Sequence, residues 1–178
     1  MANDALPLVL VPGLLCTADL FAHQIEAIKR DRPVLVADPA GADSMAGIAR
    51  TALAIAPPRF ALAGLSMGGY IAFEMLRQSP DRIARLALLD TNARADRPEQ
   101  SEQRRKLVEL GRKEGVAAVQ RALLSFLIHP SRMDEAALIA RIVRMAEDVG
   151  LAAFERQQAA IIARPDNRGF LKEITCPT

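Results

Sequence analysis

The stretch of this sequence best placed to do chemistry is Gly64-Leu65-Ser66-Met67-Gly68-Gly69. Its serine stands between two glycines in the spacing Gly-x-Ser-x-Gly. An apolar run of strand length, residues 60–65, enters the stretch. A helix-like pattern leaves it, with Ile71, Met75 and Leu76 on one side. A serine on so sharp a strand-to-helix turn takes a strained backbone, and residues two positions away crowd each other. Gly64 and Gly68 relieve that crowding because neither has a Cβ, and Gly69 lets the helix approach the sheet. The new helix points its N-terminus at the serine, which favours negative charge there. The chemistry on offer is that of an exposed hydroxyl beside a region that stabilises an anion. The alternative is a glycine-rich turn that binds phosphate or nothing. The stretch lacks both the Gly-Lys-Ser/Thr of a P-loop and the Gly-x-Gly-x-x-Gly of a dinucleotide turn.

The elements that must hold this turn can be read along the chain. Residues 7–11 form a short apolar run, consistent with a buried strand, ended by Pro12-Gly13-Leu14-Leu15. A helical pattern starts near Ala18, with Leu20, Ile25 and Ile28 apolar and Lys29-Arg30 at its end. Residues 33–37 predict a second strand. Ser44 caps a helix through Leu53, stopped by Pro57-Pro58. The turn at Ser66 follows, then Ser79-Pro80-Asp81, and then an apolar run over residues 83–89 that ends at Asp90. Strands alternating with helices imply a mostly parallel sheet with right-handed crossovers. After Asn92 the strand runs vanish. Asp96 with Glu99 predicts a capping box for a helix ending near Gly111 or Gly115. Residues 116–128 predict a second helix, stopped by His129-Pro130. Ser131 with Asp134 predicts the cap of a third, ended by Gly150, and residues 151–162 a fourth. The expected organisation is a sheet core over residues 1–94, an all-helical lid over 95–164 and a return to the core over 165–178.

Composition narrows the classes. The chain has 178 residues, 51% hydrophobic and 25% charged, which predicts a packed core rather than disorder. Its net charge of +2, from 23 basic and 21 acidic residues, gives no electrostatic reason to expect nucleic acid or an anionic membrane as partner. Arg104-Arg105-Lys106, flanked by Glu102 and Glu109, reads as a solvated helix face. Apolar runs break well before membrane-spanning length. The first four residues carry no basic region of a signal peptide. Cys16 and Cys176 form no metal or redox motif and read as free thiols, so a reducing, cytoplasmic setting is expected.

Taken together these pieces resemble the α/β-hydrolase superfamily, specifically its capped, esterase-like members. The resemblance rests on Leu8-Val9-Leu10-Val11-Pro12-Gly13, Phe21-x-x-Gln24, Gly64-Leu65-Ser66-Met67-Gly68-Gly69 and Leu86-Ala87-Leu88-Leu89-Asp90. Ile174-Thr175-Cys176-Pro177-Thr178 looks like the entry to the family's next strand. The resemblance implies that Ser66 is a nucleophile acting on a small carboxylic ester or related acyl substrate. It further implies that the backbone N–H groups of Met67 and Leu14 form an oxyanion hole, and that no cofactor or metal is used. Family members usually have His-Gly where this chain has Pro12-Gly13.

A second departure concerns the triad. Its members run in the order serine, acid, histidine, and the family places the last two beyond the strand that residues 176–178 would open. The sequence therefore reads as the N-terminal portion of a longer polypeptide, catalytically feeble by itself. His23 reads as a surface or packing residue, His129 as a helix-end residue, Asp90 as a turn residue, and Met133 and Met145 as core. Two alternatives stay open. One is a non-catalytic, hydrolase-like binding protein. The other is a different chemistry of the same fold, such as a lyase, acyltransferase or perhydrolase. Pairing of the 83–89 strand edge with another chain or segment is also expected.

Overall fold

The computed structural model describes residues 5–178; the expected absence of a signal peptide concerns the first four and lies outside the described residues. Its centre is a parallel sheet of β1 (Leu8–Val11), β2 (Val34–Val36), β3 (Phe60–Leu65) and β4 (Ile83–Leu89), in the order β2-β1-β3-β4. Register runs Leu8 opposite Ala61 and Val11 opposite Gly64, then Gly64 opposite Leu88 on the other side. The strand that leads into Ser66 is thus central.

Both faces of the sheet are covered, which explains why its strands are near-continuous apolar runs. Side chains alternate between faces along each strand. Val9, Val11 and Leu62 pack with Ile48, Ile71 and Met75 under α2 (Met45–Ile55) and α3 (Met67–Gln78). Leu10 and Ala63 face the other way, against Phe21 and Ile25. The helix expected from Ala18 is a 3-10 turn, Ala18–Phe21, running into the short α1 (Ala22–Ile28). Thr17 Oγ1 accepts from Asp19 N–H and sets that tighter start. Ser44 caps α2 as expected, its Oγ accepting from Gly47 N–H at 3.2 Å.

Residues 93–166 contain no strand. Here α4 (Pro98–Glu114), α5 (Val116–Leu127) and α6 (Ala136–Ile162) pack on one another around Val119, Ala146 and Phe154, with a second cluster at Leu124, Ile142 and Met145. Gly150 breaks α6 with φ of 76°, where the sequence pattern separates two helices.

Two expected caps are not used. Asp96 does not cap α4: Gln100 Oε1 reaches back to the Arg97 N–H at 3.0 Å instead. The Asp96 carboxylate is fully buried between Arg164 at 2.6 Å and Arg104 at 2.7 Å. Arg104 is accordingly drawn inward, and only its neighbours remain a solvated face; Arg105 pairs with Glu102. Ser131 does not cap α6 either. It turns back onto the His129 ring in a separate 3-10 turn, and α6 starts at Ala136 with no side-chain cap.

Candidate active site

Ser66 lies at the end of β3, immediately before the first residue of α3, with φ 53° and ψ −112°. A non-glycine residue there is strained, and its surroundings must hold it. Three interactions do so. Ser66 N–H donates to the Leu89 carbonyl at 2.9 Å, Gly69 N–H donates to the Ser66 carbonyl at 3.0 Å, and Thr91 Oγ1 donates to that same carbonyl at 2.8 Å. The flanking glycines are required sterically. A Cβ on Gly64 would run into the Gly68 carbonyl, and one on Gly68 into the Val11 carbonyl. Gly69 makes room for the Thr91 side chain rather than for the sheet at large. Thr91, which fixes the turn from the end of β4, carries no motif and was not singled out from the sequence.

The loop after β1 lies against this turn. A Cβ on Gly13 would sit 3.6 Å from the Ser66 Cβ and 3.5 Å from the Leu65 carbonyl oxygen. Within the loop, Cys16 N–H donates to the Gly13 carbonyl at 3.3 Å and Leu15 N–H to Gln157 Oε1 at 3.1 Å. The Leu14 N–H, one residue before Leu15, has no acceptor among the described residues. Met67 N–H, in the first turn of α3, has no intrahelical acceptor either. Two backbone donors near this turn are therefore without an acceptor among the described residues, one on Met67, the next residue, and one on Leu14, in the loop whose Gly13 packs against Ser66. Burial pushes the Cys16 thiol up to about 11, more than offsetting its backbone hydrogen bond to Gly13. It is thereby kept a neutral, unreactive neighbour of the loop.

Neither histidine bonds to Ser66. His23 is exposed on α1. His129 is exposed too, its Nδ1 2.8 Å from Ser131 Oγ. Asp90 is an exposed turn residue with φ 40°. Met145 is buried and Met133 packs beside it, both in the cluster with Leu124 and Ile142. A cavity of about 260 Å³ opens between the ends of β1 and β2 and α6, lined by Pro12, Cys16, Thr17, Asp38 and Asp148 among others. Among the described residues no group of His, Cys, Asp and Glu could hold a metal, and no helix is long and apolar enough to cross a membrane.

Comparison with solved structures decides the family. A thermophilic esterase from Thermogutta terrifontis superposes with a TM-score of 0.85 at 29% identity, over 98% of this chain and 70% of that one. An enol-lactonase from Burkholderia xenovorans gives 0.84 at 26%, over 98% and 71%. The chain belongs to the α/β-hydrolase superfamily. A third neighbour, MenH from S. aureus, gives a TM-score of 0.83 at 18% identity, over 100% of this chain and 74% of that one, and speaks to the fold alone. No family model and no curated protein sequence matches the chain.

As an α/β-hydrolase, the chain places its Gly-x-Ser-x-Gly serine where the fold's strand-to-helix elbow occurs, at the C-terminal end of the central strand. Cys176-Pro177-Thr178 comes to the outer edge of β4, where the Pro177 carbonyl accepts from Leu86 N–H at 2.9 Å. The superfamily's next strand was expected on that edge.

Proposed function

We propose that this α/β-hydrolase is a serine hydrolase acting on a small carboxylic ester or related acyl substrate. The observation that carries the reading is the strained Ser66 at the strand-to-helix elbow, followed by the unpaired Met67 N–H and packed against the loop that carries the unpaired Leu14 N–H. In the proposed reaction Ser66 Oγ bonds to the acyl carbon. The carbonyl oxygen becomes an oxyanion held by the two N–H groups, and one such donor is worth about 2.7–4 kcal/mol of barrier. The ester C–O bond then breaks, the alcohol leaves with a proton, and water attacks the acyl-enzyme to release acid and free Ser66.

A serine needs a base to take its proton, and His23 and His129 both lie exposed and unbonded to it. The 178-residue chain by itself should therefore turn over slowly, and Ser66→Ala should change that slow rate little. Added imidazole can stand in for the base. With imidazole, p-nitrophenyl acetate should give a burst of up to one equivalent of p-nitrophenol that Ser66→Ala abolishes. Equal traces from both proteins would sink the reading.

The exposed histidines favour one other reading, a ligand-binding protein that keeps the fold without the chemistry. It predicts no Ser66-dependent burst under any of these conditions.

A further inference from the structure

Gln157 sits on α6, in the lid, with no solvent exposure. Its Oε1 accepts from the Leu15 N–H at 3.1 Å, across 142 residues of sequence, while its Nε2 has no partner. A buried amide with an orphaned donor is costly. An apolar side chain of the same length would avoid that cost, so the one bond the amide makes is its physical reason for being there.

That bond falls at a critical place. Leu15 has φ 56°, a left-handed conformation that a leucine rarely adopts unaided. Its side chain is fully buried in the lid's own cluster, with Phe154, Ala146, Val116 and Val119. The loop after β1 is thus gripped twice by the lid, by Leu15 packing and by the Gln157 amide. The N–H one residue earlier, on Leu14, is the free donor of the loop whose Gly13 packs against Ser66. Rotation about the Leu15 φ would turn the Leu14–Leu15 peptide, whose N–H the Gln157 amide holds, and that peptide meets the one carrying the Leu14 N–H at the Leu14 Cα.

We propose that Gln157 is a positioning residue: its amide oxygen holds the Leu14–Leu15 peptide, and with it the loop conformation that sets the Leu14 N–H toward the oxyanion. This deepens, and rests on, the proposed role of Ser66. It also makes the oxyanion hole depend on lid seating, since one of its two donors is set by a lid side chain.

The test uses the 178-residue chain in two arms. In the wild type, hydrogen exchange followed by NMR should find the Leu15 amide protected and the Leu14 amide fast. Gln157→Met, which keeps length and removes the acceptor, should speed Leu15 exchange about tenfold while the amides of α3 stay unchanged. In the imidazole-assisted burst assay the same variant should lower the acylation rate constant by roughly 10- to 100-fold with the half-saturating ester concentration unchanged. Gln157→Glu retains an acceptor oxygen and should keep the Leu15 amide protected. An unprotected Leu15 amide in the wild type, or wild-type acylation by Gln157→Met, overturns the clamp and leaves Ser66 untouched. No burst in the wild type overturns the Ser66 reading instead, and the exchange data then judge the loop contact separately.

Discussion

At the scale of single residues, the turn at Ser66 is a set of close approaches that tolerate no added atom. Gly68→Ala would drive a methyl into the Val11 carbonyl, which is backbone and cannot step aside. It should destabilise the protein by at least about 2 kcal/mol in denaturant unfolding. Thr91→Val keeps shape and removes one hydrogen bond, and should cost about 1 kcal/mol. Cys16 supplies a chemical check. With its thiol raised to about 11 by burial, iodoacetamide at pH 8 should alkylate Cys176 well before Cys16 in the native protein; equal rates would contradict the buried setting. The glycines and the serine were legible in the sequence because their requirement is local, within a few residues along the chain. Thr91 and Gln157 were not, because their partners lie 25 and 142 residues away and a lone threonine or glutamine has no spacing to betray it.

At the scale of elements, the helical segment of α4 to α6 is held to the sheet core by charged contacts at both ends. Arg141 of α6 grips Asp19 of the 3-10 turn, and its hydrogen bond holds the Asp19 carboxyl below the ordinary aspartate value. A depressed carboxylate stabilises the folded state above its unfolded value near 3.9 and loses that contribution as pH falls through the folded value. A carbon-detected titration should therefore find the Asp19 midpoint below 3.9, rising in Arg141→Ala. A midpoint at or above 3.9 in the wild type would mean the contact is absent in solution. At the other end, Asp96 sits fully buried between Arg164 and Arg104, and Arg164 stacks 4.2 Å over the Tyr70 ring of α3. Asp96→Asn leaves a buried guanidinium uncompensated and should cost about 3–5 kcal/mol in thermal or denaturant unfolding. The misread capping box has the same origin. An aspartate three residues before a glutamate satisfies a local rule, and here Arg104, further along α4, and the distant Arg164 outcompete it. Helix boundaries set by Gly150, Pro57 and Ser44 were legible because backbone restrictions and caps act locally; the tilt and grip of the lid were not.

At the scale of the whole molecule, the order β2-β1-β3-β4 puts the Ser66 strand inside the sheet and β4 at its edge. Pro177 engages the outer side of β4, its carbonyl accepting from Leu86 N–H. The strand carries one charged residue, Arg85, and no proline, so it lacks the usual protection of an edge. We expect the 178-residue chain to associate through β4, and light scattering should find species larger than the monomer. A monodisperse, cooperatively melting monomer would show that the edge is better shielded than its sequence suggests. The central claim is that this sheet exists to present Ser66 as a nucleophile. A fluorophosphonate probe tests it most directly, applied with imidazole to the wild type and to Ser66→Ala and followed by mass spectrometry with peptide mapping. The account predicts one adduct per wild-type chain, on Ser66, and none in Ser66→Ala. No wild-type adduct, or equal labelling of both proteins at other residues, would contradict it.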